Sequence, residues 1–464
     1  MAVPAPLTDD FASVDTTGNV LKGGGYGRGL CRFAAQAAGQ PEVAAALTIA
    51  ASLIGGIEAL GMPADGLGFG RRHMEPHRRV ERRRDHFRPR RDGLVRVVLG
   101  GLYRGLSPQT RSPHTRSHHA IVRLIGAVVA VLLLTRPAAA DPLGHDPVKV
   151  VADARLTVVT PAGRGEVPIY LSADWSQPLP NITRAVIVVH GVGRDADGYL
   201  RGAEAARAAA GPEGQNTLLV VPQFLADIDV ATFHLPAAVL HWSTESWLEG
   251  EPAHGPAPLS SFDVFDAVLG RLADRTLLPN LVRVVLAGHS AGGQVVQRYT
   301  IVGRGEAALA ARGVTLRYVV ANPSTYLYFS DDRPMPVDRA TCPGFDRWRY
   351  GLAGAPPYVG DTGGVGDTAG IEARFAARHV DYLLGTADTD PHHPALNTSC
   401  GAEAEGPHRF ARGMVYFIYL QARHPGTLAQ RIALVPGVGH SGAAMFGSAC
   451  GLAALFDRPG CPGL

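Results

Sequence analysis

The chain has 464 residues, 46% hydrophobic and 18% charged, which is the balance of a globular protein able to bury a large core. Its formal net charge of +3 conceals a split: residues 1–140 hold 19 Lys and Arg against 10 Asp and Glu, whereas residues 141–464 hold 25 against 31. The basic surplus ends before Asp141, so nothing in the larger part points to a nucleic-acid partner.

Residues 1–115 contain an Ala-rich apolar stretch (44–60) and an Arg-dense tract (71–96), without any rhythm of strands and turns. Arg116, His118, His119 and Arg123 then precede the apolar run Leu124–Leu134, which leads into Ala138-Ala139-Ala140. A basic region, about 11 apolar residues and a small-residue end are the parts of a secretory signal peptide. A bilayer span needs about 20 apolar residues. The expectation is export, cleavage after Ala140 and no stable membrane span in the mature form; the alternative is a buried core helix. A leader at 116–140 lies far from the first residue, and no Met occurs between Met74 and Met335. Residues 1–115 are therefore expected to reflect a misassigned start, with translation beginning at a non-AUG codon such as Val95, Val98 or Val122. The competing expectation is a membrane-anchored or nucleic-acid-binding extension.

From 141 onward strands and helices alternate. Leu156–Thr160 and Val167–Ala173 are predicted as hairpin-like strands, and Ala185–Val189 as a buried parallel strand. A helix over Tyr199–Ala210 and a strand over Thr217–Val221 follow. Phe262–Leu278 is predicted as an amphipathic helix with Phe262, Phe265, Val268, Leu269 and Leu272 on one face. Strands are predicted at Val282–Ala287, Leu316–Ala321, His379–Leu384 and Arg431–Val435. Helices are predicted at Gly293–Val302, Arg409–Ala422 and Ser441–Phe456. The alternation predicts an α/β fold, a mostly parallel central sheet with helices on both faces. Between about 331 and 371 the rhythm fails in a Pro-, Gly- and Asp-rich stretch, predicted as a loop or lid insertion into a single domain at 141–464.

Ser290 stands in Gly288-His289-Ser290-Ala291-Gly292, between a predicted strand and a predicted helix. The glycines allow a sharp turn that lifts the serine out of the sheet. Acyl transfer by serine also needs a base, an acid to hold that base, and N–H donors aimed at an oxyanion. His440, in a Gly-rich loop after the last predicted strand, is the candidate base. Asp388, in Leu-Gly-Thr-Ala-Asp after the preceding strand, is the favoured acid, with Asp390 as the alternative. Backbone N–H groups of Val192, in His190-Gly191-Val192-Gly193, and of Ala291 are the candidate oxyanion donors. Ser441, in a second elbow-like stretch that lacks the final glycine, is expected to cap the last helix. His392 and His393 lie between prolines, where a solvated turn is favoured over a metal site.

Val-Val-His-Gly-Val-Gly, Gly-His-Ser-Ala-Gly-Gly, Leu-Gly-Thr-Ala-Asp and Pro-Gly-Val-Gly-His, in that order, resemble the α/β-hydrolase superfamily over roughly residues 150–457. The resemblance implies the α/β-hydrolase fold and serine hydrolase chemistry carried by Ser290, Asp388 and His440. It implies a small-molecule or polymeric ester substrate, since Ser290 stands where dehalogenases of the superfamily carry Asp. Separately, the chain has no P-loop or C-x-x-C motif, so no cofactor and no metal are expected. Secreted members include lipases, polyester depolymerases and carbohydrate esterases. A peptidase of the same fold and a non-catalytic binding protein are the alternatives, and oligomeric state is left open. Trp242, Trp247, Tyr326 and Tyr328 are expected either to line a substrate cleft or to pack in the core. Cys342, Cys400, Cys450 and Cys461 form an even set that suits an oxidising compartment, and the pairing Cys342–Cys400 with Cys450–Cys461 is favoured among three.

Overall fold

In the computed structural model, residues 144–360 and 367–464 are described, together with the backbone of an antiparallel pair, Ala12–Val14 with Val20–Lys22. The expected leader at 116–140 and the remainder of 1–115 lie outside the described residues. Residues 144–464 fall within one compact unit.

Eight strands of that unit form one sheet: β1 (Arg155–Thr160), β2 (Gly163–Leu171), β3 (Arg184–Val189), β4 (Thr217–Pro222), β5 (Arg283–His289), β6 (Thr315–Ala321), β7 (Val380–Gly385) and β8 (Arg431–Val435). They lie in the order β1-β2-β4-β3-β5-β6-β7-β8. β1 and β2 form an antiparallel hairpin, β2 meets β4 antiparallel, and every other neighbour is parallel. This is the α/β-hydrolase fold. Because the chain passes from β3 out to β4 and back to β5, the C-terminal ends of β3 and β5 lie side by side with helices leaving them on opposite faces. Open α/β sheets bind ligands at such a switch point.

The two-residue period of the central strands feeds two cores. Ala185, Ile187 and Val189 of β3 and Val284 and Leu286 of β5 face one layer, whereas Val186, Val188, Val285 and Ala287 face the other. The first layer is filled from α2 (Ser261–Leu272), α3 (Ala291–Val302), α4 (Thr368–Ala377) and α5 (Arg409–Arg423). The second is filled by Ala203, Ala206 and Ala210 of α1 (Ala196–Ala210) and by α6 (Gly442–Gly447) and α7 (Ala449–Phe456). Small alanines let α1 lie close against the sheet.

Several predicted bounds differ from the observed ones. α1 begins at Ala196 rather than Tyr199, α3 at Ala291 rather than Gly293, and β2 runs Gly163–Leu171 rather than Val167–Ala173. Two predicted helices change at their interior or C-terminal end. α2 ends at Leu272 rather than Leu278, where Asp274 takes the N–H and hydroxyl of Thr276 on its side chain at 2.9 and 2.7 Å, a local turn that competes with helix. The predicted helix Ser441–Phe456 is two helices broken at Ser448, whose hydroxyl accepts from Gly451 N–H at 3.0 Å and caps the second. Ser441 caps the first through Ala444 N–H. Trp242, Trp247, Tyr326 and Tyr328 are all buried in the core, so the packing alternative holds for them. Both favoured disulfides are present: Cys342–Cys400 ties the stretch after β6 to the segment after β7, and Cys450–Cys461 fastens the C-terminal tail to α7. Among the described residues no helix is long and apolar enough to cross a membrane.

Candidate active site

β5 delivers the chain into a turn at Ser290, whose φ of 59° and ψ of −120° are costly for a residue with a Cβ, by about 1–3 kcal/mol. The surroundings enforce it. Ser290 N–H donates to Ala321 O at 3.0 Å at the end of β6, and Ser290 O accepts from Gln294 N–H at 3.0 Å as α3 begins. A Cβ on Gly288 would lie 2.1 Å from Gly292 O, and one on Gly292 would lie 2.3 Å from Val189 O. Both glycines are therefore required by space, because the elbow is pressed against the end of β3. α3 starts at Ala291, so the free N–H groups of its first turn gather beside the serine.

His440 Nε2 lies 2.9 Å from Ser290 Oγ, and His440 Nδ1 lies 2.8 Å from Asp388 Oδ2. Asp390, the alternative acid, is exposed and accepts from His392 N–H at 2.8 Å. The loops bearing the acid and the base are stitched together. Ala387 N–H donates to Val438 O at 3.0 Å, and Gly437 N–H to Thr386 Oγ1 at 2.9 Å. Asn322, at the end of β6, accepts from Gly385 N–H at 2.9 Å and donates its amide to Gly439 O at 3.3 Å. One side chain thus spans the two loops.

Asp388 is 3% exposed, and a buried carboxylate needs a partner. Besides His440 it faces Arg409, the first residue of α5, whose Nη1 is 3.5 Å from Asp388 Oδ1. Arg409 is itself buried, donating Nε–H to Ser324 Oγ at 3.1 Å and Nη2–H to Ala395 O. Burial lowers the pKa of His440; the hydrogen bond to Asp388 opposes this and the Arg409 charge adds to it. The rings of His289 and His393 flank His440 with centroids 4.8 and 4.9 Å away.

On the other side of Ser290, the loop after β3 is held from beneath by two buried groups. His190 accepts Phe224 N–H on Nε2 at 3.0 Å, which leaves Nδ1–H to donate to Gly191 O at 2.9 Å. Burial pushes its pKa down to about 4, so the ring is neutral. Arg194, at φ 55°, forms a fully buried ion pair with Asp229 at 2.7 Å and sends further donors to Gly144 O and Asp146 O. Val192 and Ala291 accordingly border the cleft with Ser290.

Two pockets meet at the serine. One, of ≈ 240 Å³, runs past Ala291 to a polar wall that includes Gln294, Ser324 and Asn397. The other, of ≈ 420 Å³, is bordered by His440, Tyr199, His393 and Phe446 and floored by glycines. Arg349, in the stretch predicted as an insertion, borders the smaller pocket and is paired with Glu249. That stretch has turns and one isolated bridge, Arg347 with Ala353, before a short helix at Pro357–Gly360.

The five residues singled out from sequence thus come together around one cleft. Arg409, Asn322, His190 and the Arg194–Asp229 pair were not anticipated. Each makes at least one contact distant in sequence, which its spacing does not signal.

No family model matches this chain, and no curated protein matches it. Among solved structures it is similar to poly(aspartic acid) hydrolase-1 from Sphingomonas sp. KT-1, at 24% identity over 65% of this chain and 96% of that one, with a TM-score of 0.44. It is also similar to LpqC, a poly(3-hydroxybutyrate) depolymerase from Bordetella parapertussis, at 22% identity over 70% of this chain and 97% of that one, with a TM-score of 0.47. A third is the siderophore hydrolase EstB from Aspergillus nidulans, at 15% identity over 70% and 99%, with a TM-score of 0.36.

Proposed function

We propose that this chain, whose fold is that of the α/β-hydrolase superfamily, is a serine hydrolase that cleaves carboxylic esters through an acyl-enzyme. The observation that carries this is the unbroken relay from Ser290 Oγ to His440 to Asp388 at 2.9 and 2.8 Å, at the rim of the cleft. His440 Nε2 takes the Ser290 proton as Oγ attacks the carbonyl carbon. Asp388 keeps the other ring nitrogen protonated and stabilises the imidazolium. Val192 and Ala291 N–H groups receive the developing oxyanion. Collapse breaks the ester C–O bond, and His440 returns the proton to the leaving alcohol. Water then attacks the acyl-enzyme with His440 again as base, releasing the acid.

A base must be neutral to act, and burial holds the His440 pKa below its ordinary 6.5. The kcat/KM profile is therefore expected to fall on the acid side of pH 6.5, with full activity retained at neutral pH. Arg409 serves as a positioning residue for Asp388. In Arg409→Gln the loss of its charge raises the His440 pKa, so the acid limb moves to higher pH. The loosened carboxylate lowers kcat by about 100-fold. A pH–rate profile of both proteins reads the two effects separately, and a merely structural role would leave the limb in place.

The pocket bordered by His440 suits the leaving alcohol, since His440 must reach its oxygen. The smaller pocket then takes the acyl half, and its limited volume and polar wall favour short or polar acyl groups. Hydrolysis of p-nitrophenyl esters of increasing acyl length tests the proposal, with turnover expected on acetate and butyrate and at least about tenfold less on long-chain esters. A folded protein inert on every ester, yet active on amide substrates, would move the assignment to a peptidase of this fold. Inertness on both would point to a binding protein. Export with cleavage after Ala140 belongs to the same proposal, supported by the two disulfides.

A further inference from the structure

Away from the cleft, three side chains with metal-binding atoms converge. Asp227 opens a short helix, Asp227–Phe233. His241 Nδ1 lies 2.8 Å from its Oδ1, and His254 Nδ1 lies 2.9 Å from its Oδ2. One ligand atom from each residue can be chosen so that all lie within 4.8 Å of one another. The two imidazoles are 6.4 Å apart between centroids, with planes at 89°. Asp227 and His254 are exposed and His241 is half-buried, so an ion has access from solvent.

We propose that Asp227, His241 and His254 form a binding site for a borderline divalent cation, of which Zn²⁺ is the type. The donor set is the first argument. Two imidazoles and a carboxylate suit zinc, and three protein ligands leave a fourth position for water on the exposed side. Metal–ligand distances of about 2.0–2.2 Å put tetrahedral ligand atoms roughly 3.3–3.5 Å apart. Asp227 Oδ1 lies 2.8 Å from His241 Nδ1 and 3.0 Å from His254 Nδ1, so these two separations open by a few tenths of an ångström, and side-chain rotation brings the rest of the set, within 4.8 Å, to ligand spacing. In each neutral ring the single proton then resides on Nε2, which leaves the Nδ1 lone pair free to bind the cation.

The second argument is the backbone. His241 N–H donates to Gly255 O at 3.2 Å, and His254 N–H donates to His241 O at 2.8 Å. This antiparallel bridge fixes both histidines side by side before any ion arrives, so little ordering is left for binding to impose. Asp227 is anchored separately by its helix, which also carries Asp229, the buried partner of Arg194 beneath the loop after β3.

The position suggests what the ion would do. The 12 residues between the two histidines, 242–253, include Glu245 and Leu248, which border the smaller pocket, and Trp247, which packs on His190 with centroids 4.7 Å apart. An ion bound at its two ends and to the helix of Asp229 would clamp this wall of the cleft without touching Ser290, His440 or Asp388. The site is thus a structural clamp separate from the hydrolytic chemistry, and it stands whether or not the ester assignment does.

The test uses untagged full-length protein treated with chelator and titrated with ZnCl₂ by calorimetry, beside His254→Ala and Asp227→Asn. The expected result is one site in the native protein. Either substitution should weaken it by at least about tenfold. Saturating Zn²⁺ should raise the melting temperature of the native protein by roughly 5 °C, and that of the variants by much less. Both variants are surface changes whose circular dichroism should match the native protein. Native and variant proteins binding Zn²⁺ equally, or neither binding it, would overturn the proposal, since the first result places the ion on other histidines and the second leaves no site.

Discussion

Ser290→Ala is expected to lower kcat/KM for ester hydrolysis by about 10⁴–10⁶-fold, with the protein still folded. The size follows from the role: Ser290 combines the elbow conformation with a hydrogen bond to His440 Nε2, and among the described residues no other group does so. Alanine keeps the Cβ and the N–H to Ala321 O, so the turn survives and only the nucleophile is lost. The melting temperature should stay within about 3 °C of the native value, in keeping with a substitution that leaves every backbone contact in place. Steady-state kinetics on p-nitrophenyl butyrate, with thermal unfolding as control, check both statements.

Asp388→Asn is expected to cost about 10⁴-fold in kcat. An asparagine amide can turn its N–H toward His440 Nδ1, which then gives up its proton and leaves Nε2 protonated, the wrong tautomer for a base. The substitution also leaves the buried Arg409 cation facing a neutral group. Asp390→Asn, by contrast, should change kcat by less than about twofold, because that carboxylate is exposed and caps only His392 N–H. Comparing the two variants under one set of conditions separates the residues that sequence alone left as alternatives.

The order of strands and helices was legible because the core strands are short apolar runs bounded by turn residues and the longer helices carry an apolar stripe. Ala185–Val189 and Arg431–Val435 are examples, and observed bounds differ from these by no more than a residue. Helix ends were less legible. Asp274 and Ser448 stop or restart helices through side-chain hydrogen bonds, which a hydrophobic period does not register. At the cleft, Ser290 and His440 announced themselves by glycines and by place after a strand. Arg409 did not, because its partner Asp388 belongs to the preceding loop and the pairing exists only once α5 has packed. Asn322 was hidden likewise, its two contacts lying 63 and 117 residues along the chain. The aromatic residues Trp242, Trp247, Tyr326 and Tyr328 follow predicted strands, where a cleft and a core look alike in sequence. All four are buried, so here the core reading holds.

Covalent labelling reads whether Ser290 is a nucleophile primed by His440. The protein would be treated with a fluorophosphonate probe, digested, and the adduct mapped by mass spectrometry. A single adduct on Ser290, suppressed by acidification that protonates His440 and absent from His440→Ala, is the predicted result. Native folded protein that takes no label, or an adduct on Ser441 with Ser290 unmodified, would contradict the account.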